Sequence, residues 1–366
     1  MFDAGLPELI HAASRPAARP SAAALLPGAQ EAEGIPRLER ALLAAARQSP
    51  RDLVGAAVEL ISAGGKRVRP LLLLLSARAC SRPGRYPRGR VALALASELI
   101  HSATLLHDDV IDDGLTRRGR PAPRVAYGNG VSVIAGDWLL TTSLDLALRS
   151  RVPGAVEVMV RTLRELVEGE AIQLRMRGDA DFTAKDARRI SRLKTASLFG
   201  FCGEAGAMAA GASETARRAL RDFGLHCGLA FQITDDLLDF EADAATLGKA
   251  VLADVAEGKA SLPVALALDA EPGLRLELRS LLLDLPPSPG AAAGVPSALS
   301  ALSALSEDAR VRAFVARVTR TGALAAARAE AAQARDLGLG ALAHLPAGGT
   351  RDLLVQVASL LLDRRR

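Results

Sequence analysis

Aromatic side chains are scarce: the 366 residues hold one Trp, two Tyr and eight Phe, 3% in all, and runs of β-branched residues are equally hard to find. Strands draw on those two classes, so a sheet-based fold is disfavoured. Ala and Leu dominate instead, within a hydrophobic content of 49%, and both are strong helix formers. The expected fold class is all-α. Cysteine is rare too. Cys80, Cys202 and Cys227 are odd in number and far apart, fitting neither a disulfide framework nor a close-spaced zinc site, so a reducing, cytoplasmic location is expected. Long apolar runs are missing: Leu71 to Leu75 falls far short of the roughly 20 residues that span a bilayer, and Arg69 and Arg78 flank it, so it reads as a buried helix segment. Met1, Phe2 and Asp3 begin the chain without a basic or long apolar signal region, and no export is expected.

The formal net charge is +5, which suits nucleic acid, an anionic membrane surface or small anionic substrates. No basic run interleaved with aromatics occurs, nor any zinc-finger or basic-zipper spacing, and nucleic acid is set aside as a partner. The length admits one large domain or two, and no shift in composition marks a second. Residues 1–34 mix Ala with Pro16, Pro20, Pro27 and Gly28, as expected of a flexible arm. Helical spacing of apolar residues then fills 35–366, interrupted at Ser81 to Gly89 and by a Pro-Gly and Ala-Leu-Ser stretch that predicts a surface insertion near 285–306. Periodicity resumes from Asp308 through Arg335, with a last helix around Arg351 to Leu362 before the basic end Arg364 to Arg366.

Two acidic motifs carry the chemistry. LLHDDVIDDGLTRRGRP places Asp108, Asp109, Asp112 and Asp113 at the end of a helical pattern, with Asp108 and Asp112 one turn apart on one face. QITDDLLDF repeats the arrangement with Asp235, Asp236 and Asp239. Like charges at this spacing repel, so a cation is expected among them. Hard carboxylate oxygens without Cys or clustered His suit Mg²⁺, which keeps several waters and takes its other ligands from phosphates. One such motif alone reads equally as a solvated helix face; two copies embedded in apolar sequence do not.

Fixed positive charge accompanies them. GGKRVRP sets Lys66, Arg67 and Arg69 at a helix entry behind two glycines, where orphan amides also favour anions. Alone, this is a common surface feature. His101, seven residues before Asp108, shares nearly its helical face and is either a phosphate donor or a histidine satisfied within a helix interface; His107 and His226 keep the second reading.

Together with YGNGVSVIAGDWLL, EGEAIQL, LKTASLFGFCGEAGA and LGKAVLADVAEGKASLP, these segments resemble the trans-type polyprenyl diphosphate synthases across nearly the whole chain. The resemblance implies a single large helical bundle around a deep cavity, usually a homodimer, making 35–366 the catalytic domain. It implies two or three Mg²⁺ ions held by Asp108, Asp112 and Asp235, with Asp109, Asp236 and Asp239 binding directly or through water. Lys66, Arg69, His101 and Arg118 are implied for isopentenyl diphosphate; Arg117, Lys194, Thr195, Gln232, Lys249 and Lys259 for the allylic diphosphate. The reaction implied is head-to-tail condensation, with Asp108, Asp112, Arg117, Lys194, Asp235 and Lys249 as the catalytic set. Ala103 and Thr104 precede Asp108 by one turn and more, roughly 6 to 8 Å deeper along the helix. Relatives making short products commonly carry a bulky aromatic there. Small residues therefore predict products beyond farnesyl length, a long chain of the quinone side-chain kind, with a geranylgeranyl product as the alternative. A lipid-like product also makes peripheral membrane contact an expectation. Two further alternatives are a class I terpene cyclase, which has no second diphosphate substrate for GGKRVRP and Arg118 to hold, and a catalytically silent partner subunit, which has no need of intact motifs.

Overall fold

The computed structural model describes residues 34–82, 84–118, 120–241, 258–283 and 309–362. The N-terminal arm up to residue 33, Lys249, the 285–306 insertion and Arg364 to Arg366 lie outside the described residues.

Helices dominate what is described, as composition predicts. α1 (Ile35–Arg47) and α2 (Val54–Ser62) lead to α3 (Val68–Ala79), where Pro70 sits in the first turn, whose amides lack intrahelical partners in any case. Leu71 to Leu75 are each at most 1% exposed, as expected of a buried segment. At about 1.5–3 kcal/mol per fully buried Leu, this short run anchors α3 in the core. α4 (Arg90–Ile111) follows and ends in the first acidic motif. A small hairpin then pairs β1 (Thr116–Arg117) with β2 (Arg120–Pro121), Arg117 opposite Arg120, where only a loop was expected. After the short α5 (Pro123–Tyr127) comes α6 (Asn129–Ser150), among the described residues the one helix long and apolar enough to cross a membrane by length and composition. It lies along α4, and Ser132 Oγ donates to Leu106 O at 3.1 Å.

α7 (Ala155–Met176) and α8 (Ala184–Ile190) come next, α8 starting at a reciprocal cap in which Thr183 and Asp186 satisfy each other's backbone amides. A single π-helical turn, Ser191–Ala196, joins α8 to α9 (Ser197–Ala209). α9 and α10 (Glu214–Glu241) then pack backbone to backbone. A Cβ on Gly203 would lie 1.9 Å from Leu220 O, and one on Gly224 2.2 Å from Phe199 O, so no side chain fits between them. α11 (Leu262–Ala270), α12 (Leu274–Leu283), α13 (Ala309–Arg320), α14 (Ala323–Ala341) and α15 (Gly349–Leu362) complete the order. The helical periodicity expected from Asp308 through Arg335 is broken once, at Gly322, whose φ of 81° ends α13's run and begins α14.

Two apolar clusters form the core. One gathers α1 to α4, α6, α7, α9, α15 and the first half of α10, including Leu220 and Phe223; the other gathers α8, α11 to α14 and the second half of α10, including Ile233 and Leu237. Gln232, Asp235 and Asp236 therefore sit on α10 where one cluster gives way to the other.

Candidate active site

α4 delivers the first acidic motif to that boundary. The helix ends at Ile111, Asp112 is its C-cap, and Asp113 turns left-handed with φ 52°. At 3.6 residues per turn, adjacent aspartates point in different directions, and the structure separates their surroundings accordingly. Asp109 is fully buried and accepts Arg117 Nε at 2.9 Å, while Gly114 N donates to its carbonyl at 2.9 Å. Asp113 is tied to Arg124 at 3.0 Å, outside the motif proper. Asp108 and Asp112 face the boundary, each meeting a lysine: Lys194 Nζ is 3.6 Å from Asp108 Oδ2, and Lys259 Nζ is 2.9 Å from Asp112 Oδ2.

Both lysines come from segments that also hold the second acidic motif. Thr195, next to Lys194 in the π turn, donates through Oγ1 to Gln232 Oε1 at 2.6 Å. Gln232 Nε2 in turn donates to Asp236 Oδ1 at 2.8 Å. Three residues after Lys259, Leu262 N donates to Asp236 Oδ2 at 3.2 Å. Two independent bridges thus bind the end of α4 to the second half of α10. Asp236 is the buried member of its pair, as Asp109 is of the first, whereas Asp235 is exposed and Asp239 intermediate.

The π turn owes its position to α7. A Cβ on Gly169 would lie 2.8 Å from Lys194 N, so the turn rests on bare helix backbone. Glu170, the next residue, forms a close ion pair with Lys194. Burial is the main cause that pushes the Asp108 carboxyl up to about 6; Lys194 opposes it, and the negative charges of Glu170 and Asp112 add to it. Burial raises Asp112 as well, but Lys259, Lys194 and Arg177 outweigh it and hold that carboxyl below its ordinary value.

The basic residues assemble on the other side. Gly64 (φ 82°) and Arg67 (φ 50°) bend the loop before α3. A Cβ on Gly65 would lie 3.3 Å from Arg118 Nη2, so the hairpin's Arg118 stacks on that loop. Arg69 lies over the Phe199 ring at 4.9 Å, and Lys66 is half-buried in the same loop. His101 lies among these cations. Burial first, then Arg69, Arg118, Arg117 and Arg67, hold its imidazole well below the ordinary range, so the ring is neutral at neutral pH. Arg67 itself is internal: 6% exposed, it donates to Glu98 Oε1 at 2.7 Å and to Ile61 O at 3.1 Å. Along α4, Ala103 is buried and Thr104 folds its hydroxyl back onto His101 O at 2.9 Å.

Sequence reasoning passed over Glu98, Glu170 and Arg177, whose Nη1 donates to Ile111 O at 2.9 Å. Glu170 lies inside EGEAIQL, so its segment was visible but its partner was not. Nothing in the sequence signals Arg177.

The donor set fits magnesium. Every acidic group at the boundary offers hard oxygen, and Asp109 Oδ2 and Glu170 Oε1 are buried without a hydrogen-bond partner. Mg²⁺ keeps several of its waters and takes further ligands from phosphate oxygens, so a few carboxylates suffice to hold it.

A sequence profile of the polyprenyl synthetase family matches residues 51–290. The chain is 39% identical over 205 residues to an octaprenyl diphosphate synthase of Escherichia coli (strain K12), a match covering 56% of this chain and 62% of that protein. It is 34% identical over 327 residues to the heptaprenyl diphosphate synthase component 2 of Geobacillus stearothermophilus, covering 89% of this chain and 94% of that one. Among solved structures, a polyprenyl synthase from Caulobacter crescentus CB15, complexed with calcium and isoprenyl diphosphate, superposes with a TM-score of 0.79 at 34% identity, over 92% of this chain and 96% of that one.

The split between inner and outer aspartates makes a stability prediction. Asp109→Ala removes the acceptor of the Arg117 pair and is expected to cost about 1.5–3 kcal/mol, read by urea unfolding. Asp235→Ala, at an exposed position, should stay within about 0.5 kcal/mol of the parent. Equal losses in the two variants would contradict the division.

Proposed function

The chain belongs to the polyprenyl synthetase family, and from that premise we propose that it condenses isopentenyl diphosphate head-to-tail with an allylic diphosphate in the cytoplasm to give a long-chain polyprenyl diphosphate. The observation that carries this is the double bridge: Lys194 with Thr195, and Lys259 with Leu262, each grip both acidic motifs beside the cluster of Arg69, His101 and Arg118. Such an arrangement suits one substrate whose diphosphate leaves and another whose diphosphate stays. The family is magnesium-dependent, and we assign two or three ions to Asp108, Asp112 and Asp235, with Asp109, Asp236 and Asp239 binding directly or through water. Magnesium, when bound, supplies Lewis-acid charge that neutralises the diphosphate oxygens.

The chain's own groups do the rest. Breaking the allylic carbon–oxygen bond sends the electron pair to the departing diphosphate, where Lys194, Lys259 and Arg117 offer fixed positive charge. Lys66, Arg69, Arg118 and neutral His101 hold isopentenyl diphosphate, whose double bond attacks the allylic cation. A proton then leaves for the released diphosphate. Thr195 and Gln232 fix the π turn and so aim Lys194. The apolar walls on either side exclude water that would quench the cation. Product release at a membrane surface is part of the same proposal.

We also propose a homodimer. Ile134 and Leu148 lie fourteen residues apart on one face of α6, and Val160, Val167 and Leu174 recur at seven-residue spacing on α7; all five are exposed, setting apolar side chains along two adjacent helices.

Incubation with magnesium, isopentenyl diphosphate and each allylic primer should yield chains longer than farnesyl; farnesyl diphosphate alone, or a cyclised hydrocarbon, would refute the reading. Asp108→Ala and Lys194→Ala should each lower the turnover by about 10²–10³-fold in the same assay. Replacing Ala103 by Phe should shorten the product, and an unchanged product ladder would mean that residues other than Ala103 limit chain growth. Light scattering should return twice the chain mass for the parent and a lower mass for the double variant Val167→Glu, Leu174→Glu; a monomeric parent would rule out the dimer.

A further inference from the structure

α4 presents Asp108 and Asp112 at its C-terminus, where the last carbonyls of any helix lack intrahelical partners. Arg177 supplies the missing donors. It follows directly on α7, with an extended backbone at φ −63° and ψ 124°, and its fork reaches across 66 residues: Nη1 donates to Ile111 O at 2.9 Å and Nη2 to Asp112 O at 3.5 Å. Nη1 also lies 3.8 Å from Asp112 Oδ1. Gly178, the next residue, donates its N–H to Gly258 O at 3.1 Å. Gly258 has φ 66°, and a Cβ there would lie 2.9 Å from Gly178 N, so the two backbones touch with no room for a side chain. Gly258 immediately precedes Lys259, which pairs with Asp112 at 2.9 Å. The Arg177–Gly178 junction therefore fixes Asp112 from two sides: through its backbone by the guanidinium, and through its carboxylate by the strand of chain that presents Lys259.

We propose that Arg177 is a positioning residue of the reaction, which holds the end of α4 and, through Gly178 and Gly258, the Lys259 segment, and so sets the affinity of the acidic motifs for divalent cation. The inference rests on the function proposed above for the ligand it serves. A guanidinium reaches two carbonyls at once in a fixed plane, and a lysine ammonium does not reproduce that fork. Groups that orient metal ligands typically change metal affinity when replaced, while the ligands themselves remain.

The test uses the full chain and Mn²⁺ as probe, with inorganic pyrophosphate present, free Mn²⁺ being read by electron paramagnetic resonance. Arg177→Met is expected to weaken Mn²⁺ binding about tenfold or more, and Arg177→Lys to restore little of it. In the prenyl-transfer assay the magnesium concentration for half-maximal rate should rise by a similar factor, the lost rate returning as magnesium is raised. Unchanged Mn²⁺ affinity in Arg177→Met, with or without a lower melting temperature, would reduce Arg177 to an ordinary helix cap and overturn the proposal. Should Arg177→Met fail to fold, Gly258→Ala carries the test, since it keeps the guanidinium but separates the two backbones; it too should weaken Mn²⁺ binding, and parent-like affinity would overturn the proposal. The two readings fail separately: a parent chain that binds Mn²⁺ yet forms no prenyl product sinks the function, whereas an active parent whose Arg177 variants bind Mn²⁺ normally sinks only the positioning role.

Discussion

Four aspartates at the end of a single helix, Asp108, Asp109, Asp112 and Asp113, set the constraint under which the rest of the molecule is arranged. Carboxylates a turn apart at the electronegative end of a helix repel one another and the helix dipole alike. The fold compensates by bringing at least one cation to each: Lys194 to Asp108, Arg117 to Asp109, Lys259 (with Arg177) to Asp112 and Arg124 to Asp113. None of these comes from α4 itself. Arg117 and Arg124 come from the hairpin and α5 directly downstream, and Lys194 and Lys259 from segments far along the chain that also hold α10.

That second pair explains why the packing between α9 and α10 is so tight. Gly203 and Gly224 let the two helices approach backbone to backbone, and α9 begins where the π turn ends. The close approach places Thr195 within 2.6 Å of Gln232, and Lys194 is carried with it toward Asp108. A π turn adds a residue to a helical circuit and re-aims the side chains that follow, a feature that recurs at functional sites. Gly169 supports it from behind, and Glu170 draws the ammonium to one side.

Charge is partitioned with similar economy. In each acidic motif one aspartate, Asp109 or Asp236, is turned inward as an acceptor for neighbouring chain, while Asp108 and Asp112 meet Lys194 and Lys259 and Asp235 stays exposed. In GGKRVRP the same split occurs with opposite sign. Arg67 is buried against Glu98 and serves the fold, and Arg69 lies over Phe199 near neutral His101. The neighbouring aspartates of each motif thus do different work because consecutive helical positions face about 100° apart.

Composition and periodicity by themselves determined an all-helical chain, the burial of Leu71 to Leu75, the two echoing acidic motifs and the basic segments that accompany them. These are local properties: helix propensity, spacing along one face and charge density are read within a window of a few residues. What tertiary structure alone decided is which aspartate of each pair turns inward, that Arg67 is internal while Arg118 stacks on Gly65, and that Glu170 and Arg177 belong to the site at all. The break at Gly322, the small hairpin and the π turn are of the same kind. The break and the hairpin are local backbone choices that periodicity does not resolve, whereas the inward turns and the Arg177 contact join residues distant in the chain, and a one-dimensional pattern holds no record of which side chains the packing of helices brings within hydrogen-bond reach.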